Sequence, residues 1–137
     1  MLDIDKVFGF DEKMAQDGVK MELDAEGKQY FIVRRVPNSD YEHLLSGEWR
    51  RYKKILDMKT EESEKLSQKL MANVLAKTVL IGWEGVSLKG KKLPAYSVEV
   101  AKNLLIDYPA MRTAILDFAQ EMDNFRPTDN VEEIKKP

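Results

Sequence analysis

From Val19 the chain alternates, with Val19, Met21 and Leu23 falling on one side of an extended segment and Lys20 and Glu22 on the other. Period-two alternation predicts a strand with one wet face. Asp24-Ala-Glu-Gly27 supplies a turn, and Gln29 to Val36 returns through the apolar run Tyr30-Phe31-Ile32-Val33. An unbroken run of this kind predicts a second strand covered on both faces. Two strands alone are marginal, so helices are expected to pack on the hairpin.

Pro37 closes the strand, and Ser39-Asp-Tyr-Glu42 has the form of a capping box that starts a helix. Its apolar stripe runs through Tyr41, Leu44, Leu45, Tyr52, Ile55 and Leu56 at three- and four-residue spacing, with Trp49 beside it and Gly47 weakening the middle. Thr60-Glu-Glu-Ser63 opens a second helix, acidic where the helix dipole favours it. Leu66, Leu70, Val74, Leu75 and Thr78 carry it towards Trp83, and Gly82 and Gly85 are expected to end it. Its half from Met71 to Trp83 holds one charge, Lys77, and reads as the most buried helical stretch. Gly85 to Tyr96 reads as a loop with turn chemistry. Ser97 then caps a short helix through Val98, Ala101, Leu104 and Leu105, and Asp107-Tyr-Pro109 marks a restart, since proline suits a first helical turn. The last helix carries the cleanest apolar stripe in the chain, through Met111, Ala114, Ile115, Phe118, Met122 and Phe125.

The pattern predicts an α+β fold: a mostly helical single domain over residues 1–127 with a small N-terminal β-hairpin, followed by a polar, flexible tail at 128–137. A chain of 137 residues buries enough surface for a core without staples, which matters because it has no cysteine. Zero Cys removes thiolate chemistry, zinc–thiolate sites and iron–sulfur clusters, and the single His43 cannot build a histidine-rich metal site. No cofactor and no metal are expected, and no catalytic set converges, so the reading is non-enzymatic. The apolar runs fall well short of the ~20 residues of a membrane span. Met1-Leu-Asp-Ile-Asp-Lys lacks the basic and apolar regions of a secretory signal, so no export is expected.

Formal net charge is −2, but residues 1–27 carry −5 and residues 28–59 carry +4. This asymmetry suits complementarity within the fold or between subunits better than wholesale phosphate neutralisation. The densest basic cluster, Arg50-Arg51-Tyr52-Lys53-Lys54, follows Trp49. On a helix its cations spread round the circumference as a solvated rim, and a nucleic-acid surface usually needs a broader basic face. Lys89-Gly-Lys-Lys92 lacks the Walker spacing and reads as a turn with exposed lysines. Asp117 and Glu121 share a helix face and read as solvated. Met58, Met71, Met111 and Met122 read as gap fillers of the core before they read as an adaptable binding surface. Trp83 fits either a core position locking the following loop or a partly exposed anchor for a partner.

The run Val79-Leu-Ile-Gly-Trp83-Glu-Gly85-Val86, the Gly90 loop, and Leu93-Pro-Ala-Tyr96-Ser97-Val-Glu99-Val-Ala101-Lys-Asn-Leu104-Leu105 precede Pro109 and a helix through Ile115 and Ala119. Together they resemble the tail assembly chaperones of long-tailed bacteriophages and prophages. Phe31-Ile-Val-Arg34 followed by Asn38 and Tyr41 is similar to that family's strand leading into its first helix. Val100 stands where members often have Asn, and Lys89-Gly-Lys-Lys92 replaces an acidic turn. The resemblance implies a factor of the host cytoplasm, absent from the mature virion, that covers the tape-measure protein and helps recruit tail-tube subunits. Partner-binding candidates are then Trp49, Tyr52, Trp83, Val86, Tyr96, Leu104 and Leu105, in a protein compatible with a homo-oligomer and without membrane or nucleic-acid partners. The alternative is a small adaptor or nucleic-acid-associated regulator using residues 50–54.

Overall fold

The computed structural model describes residues 1–127; the expected tail at 128–137 lies outside the described residues. The fold is α+β, with seven α-helices, a three-stranded antiparallel sheet and a separate two-stranded hairpin among the described residues. Two short helices, α1 (Ile4–Phe8) and α2 (Glu12–Asp17), precede the sheet and are capped by the Asp3 and Asp11 carboxylates. Strands β1 (Val19–Glu22) and β2 (Tyr30–Val33) form the expected hairpin, with Met21 opposite Phe31 and Val19 opposite Val33.

Helix α3 spans Ser39–Arg51, and the residue that caps it is Asn38, not Ser39. The Asn38 side chain accepts the Tyr41 N–H at 2.8 Å while its amide donates to the carbonyls of Arg35 and Thr78. The longer reach of the Asn side chain thus joins the start of α3 to the end of the next long helix. The expected single helix through Leu56 is broken at Tyr52, after which α4 covers Lys53–Asp57. The break turns Ile55 outward, 43% exposed, off the expected buried stripe. Helix α5 (Glu61–Thr78) starts as expected, in a reciprocal capping box between Thr60 and Ser63.

The largest correction lies beyond Thr78. The stretch expected to continue as helix to Trp83 is instead β3 (Leu80–Glu84), antiparallel to β2, so that β2 is the central strand of a β1-β2-β3 sheet. Helical continuation would have left β2 with one bare edge, and β-branched residues at 78, 79 and 81 with Gly82 favour extended backbone. Phe31 pairs with Trp83 and Val33 with Leu80, and the register shift between them leaves Ile81 as a bulge residue. Rows Met21–Phe31–Trp83 and Val19–Val33–Leu80 therefore cross the sheet on one face.

After Gly85 the chain forms a second hairpin, β4 (Ser87–Leu88) and β5 (Lys91–Lys92), turned by Lys89 and Gly90, both with positive φ. Two positive-φ residues in a two-residue loop match the twist of the flanking strands. Gly85 has φ +69°, and a Cβ there would stand 2.5 Å from the Lys28 carbonyl. No other residue fits that approach.

Helices α6 (Val98–Asp107) and α7 (Pro109–Gln120) start at Ser97 and Pro109 as expected. Glu121 ends α7, and Met122–Phe125 form a 3-10 turn in place of the expected continuous last helix. The main core joins Val33, Leu75, Val79, Leu80, Leu105, Ile115 and Ala119, all fully buried, with α5 packed along α6. Met71 and Met111 pack against it, whereas Met58, expected as a core filler, is 66% exposed at the α4 terminus.

Candidate functional site

Trp83 is a core residue, and it locks the loop after it. Its indole N–H donates to the Pro94 carbonyl at 2.9 Å, and the ring of Tyr96 meets it edge-on at a centroid distance of 4.9 Å. The Tyr96 hydroxyl stands 2.5 Å from the Ala76 carbonyl and 2.6 Å from that of Leu80. These two carbonyls belong to the end of α5 and the start of β3, so one phenolic proton secures the helix-to-strand junction. Burial pushes the Tyr96 hydroxyl above its ordinary pKa of 10.0, because the phenolate loses hydration there. A raised folded-state value means that the unfolded chain ionises first as pH rises. The stabilisation from Tyr96 is complete below about 10 and is lost as pH climbs through the folded value. Replacing Tyr96 by Phe is expected to lower unfolding free energy by about 1–3 kcal/mol at neutral pH. The difference between the two proteins should narrow in denaturant melts taken above about pH 10.

The lock holds the second hairpin away from the α6–α7 junction, and a cleft of about 450 Å³ opens between them. Leu23 and Phe31 reach it from the first hairpin, Val86, Leu88 and Leu93 from the second, and Leu104, Tyr108 and Met111 from the helices. Gln29, Ser87 and Ala110 complete the lining, and among the described residues no charged side chain takes part in it. A concave, apolar site with a few polar groups is suited to hold a ligand or an apolar segment of another chain.

A family model described as YdaY prophage protein matches residues 36–136. The chain belongs to the YdaY prophage protein family. No curated protein and no solved structure matches it. The match of this YdaY family member takes in α3 to α7, β3 and the second hairpin, and hence both Trp83 and Tyr96. Strands β1 and β2, which supply Leu23, Gln29 and Phe31 to the cleft, precede the matched residues.

The structure brings only some of the candidate residues of this YdaY family member together. Val86 and Leu104 line the cleft; Trp83 and Tyr96 stand behind it as the lock; Leu105 is fully buried in the core. Trp49 and Tyr52 belong elsewhere. Trp49 is half-buried beside Leu56, Ser63 and Ser67, against the first turns of α5, and Tyr52 is half-buried at the break between α3 and α4. The basic cluster is split by that break. Arg51 lies over the Tyr52 ring at 5.1 Å and Lys53 pairs with Asp57 at 2.7 Å, and the four exposed cations line, with Tyr52 and Ile55, one open depression of about 490 Å³ around the break. His43 is exposed, and among the described residues no group of three His, Asp or Glu side chains could hold a metal.

Arg34, Asn38 and Tyr41, quoted for the resemblance, have structural work. The Arg34 guanidinium is buried, donates to the Thr78 carbonyl at 3.2 Å, and pairs with Asp40 at 3.1 Å. It thereby places a positive charge at the C-terminal end of α5, where the helix dipole favours one. Sequence reasoning missed Leu23, Leu88, Leu93, Tyr108 and Met111 as cleft residues. Their apolar character was visible, but their convergence depends on β3 joining the sheet.

Proposed function

We propose that this prophage protein is a non-enzymatic tail assembly chaperone of the host cytoplasm, whose cleft receives apolar helical segments of the tape-measure protein. The observation that carries the reading is the uncharged apolar cleft, bounded by the loop–helix unit that carries the resemblance. Membership of a prophage family supports it. A long apolar client aggregates unless covered before assembly, and reversible cover calls for apolar contact without covalent chemistry. Recruitment of tail-tube subunits belongs to the same proposal, as does the exclusion of the chaperone from the finished virion.

Coexpression with a tape-measure fragment tests it. The fragment is expected to stay soluble and to copurify with the chaperone. Leu88→Asp combined with Met111→Asp places two carboxylates in the cleft and should return the fragment to the pellet. Circular dichroism and a thermal melt establish that the variant is folded. Unchanged precipitation in the presence of folded, unsubstituted protein sinks the proposal.

A further inference from the structure

Helix α1 is amphipathic, and no described residue covers its apolar face. Ile4, Val7 and Phe8 fall at i, i+3 and i+4 on one side, 70%, 42% and 60% exposed, with Leu2 just ahead at 72%. No residue of α1 is buried. Polar contacts hold the segment in place: Arg126 donates to the Val7 carbonyl at 2.5 Å and to the Gly9 carbonyl at 2.8 Å. A five-residue helix has little stability of its own, so an apolar face presented this way gains from a partner surface.

The cleft offers the complement. It is apolar and uncharged, and its hairpin wall carries Lys89, Lys91 and Lys92, all exposed. Helix α1 brings Asp3 and Asp5, both exposed, within a segment of net charge −5. Anchors at i, i+3 and i+4 are how an amphipathic helix seats in a groove, and carboxylates facing ammonium groups would fix its register. Within its own chain α1 is tethered beside the 3-10 turn, and none of its residues is among those lining the cleft.

The geometry points to a second copy of this chain as the occupant: α1 of each protomer lies in the cleft of the other, in a reciprocal two-fold dimer. A single five-residue helix is small against the ~1,200 Å² that a stable interface buries, and two-fold exchange doubles the contact. The apolar cleft and the lysines on its hairpin wall suit α1 whether or not a tape-measure client exists, and such a client would compete with the partner's α1 for the same cleft.

Sedimentation velocity of the full chain without any client tests it, so its failure is separate from that of the chaperone proposal. A dimer that dissociates on dilution is expected. Ile4→Asp with Phe8→Asp alters exposed positions only and should give a folded monomer. Asp5→Lys alone, or Lys91→Glu with Lys92→Glu, should each weaken association by about ten-fold, and combining them should recover most of the loss. A chain that stays monomeric at all concentrations, a dimer insensitive to the Ile4 and Phe8 changes, or charge swaps that add without recovery would overturn it.

Discussion

Trp83→Ala is expected to lower the unfolding free energy by about 3–5 kcal/mol, a large share of the 5–15 kcal/mol that holds a domain of this size together. The cost comes from removing a large buried aromatic between the sheet and the loop, where neighbours cannot collapse fully into the space it leaves. Its hydrogen bond adds little, because Pro94 is exposed and its carbonyl recovers a bond to water once the indole is gone. Trp83→Phe keeps a ring against Tyr96 and Phe31 and should retain more than half of the lost stability. Urea unfolding followed by far-UV circular dichroism reads both. The expected result is a lower midpoint with an unchanged slope, since the substitution leaves the surface exposed on unfolding nearly the same. An Ala variant within 1 kcal/mol of the parent, on the order of a surface change, would mean that the second hairpin is not held through Trp83. The cleft behind it would then have no fixed wall.

Trp83 also marks where the fold could be read from the sequence and where it could not. The first hairpin, the starts at Thr60, Ser97 and Pro109, and the burial of Leu105 and Ile115 all follow from local signals: alternation, caps and a period near 3.6. Strand β3 does not. Thr78 to Trp83 extends the apolar pattern of α5, and a short apolar run fits helix and strand alike. The deciding fact is non-local, since Tyr30–Val33 needs a partner on its second edge. Local chemistry did carry a warning in the β-branched cluster followed by Gly82. The two N-terminal helices were equally legible in principle, with Asp3 and Asp11 as caps and Gly9 and Gly18 as stops. Each is too short for periodicity to register. The cleft lay furthest out of reach. It needs Leu23, Leu88 and Met111 to converge from three parts of the chain, and only the three-stranded sheet places them there.

Phe125→Ala is expected to cost about 3–5 kcal/mol as well, but by loosening a different part of the molecule. Phe125 is fully buried in the 3-10 turn, outside the main core, with its ring set edge-on to Phe118 at 6.2 Å. Its carbonyl accepts the Asp11 N–H at 2.7 Å, and the next residue, Arg126, grips the backbone at Val7 and Gly9. The N-terminal helices are thus fastened to the end of α7 through residues 125 and 126. Removing the ring leaves a cavity under this turn and should release α1 and α2 before the sheet and α5 give way. Hydrogen exchange distinguishes the two outcomes. Amides of residues 11–18 are expected to lose protection at denaturant concentrations that leave those of Val74, Leu75 and Val79 protected. In Trp83→Ala, by contrast, both sets should fall together, because that side chain joins the sheet to the core on which α5 rests. Equal loss of protection across the Phe125→Ala chain would show that the N-terminal helices and the main core unfold as one unit. Persistence of the N-terminal protection would show that the contacts left in place suffice to hold them: Arg126, the Asp11–Phe125 backbone bond, the Arg35 N–H donated to the Ala15 carbonyl at 3.2 Å, and Arg35 over the Phe10 ring.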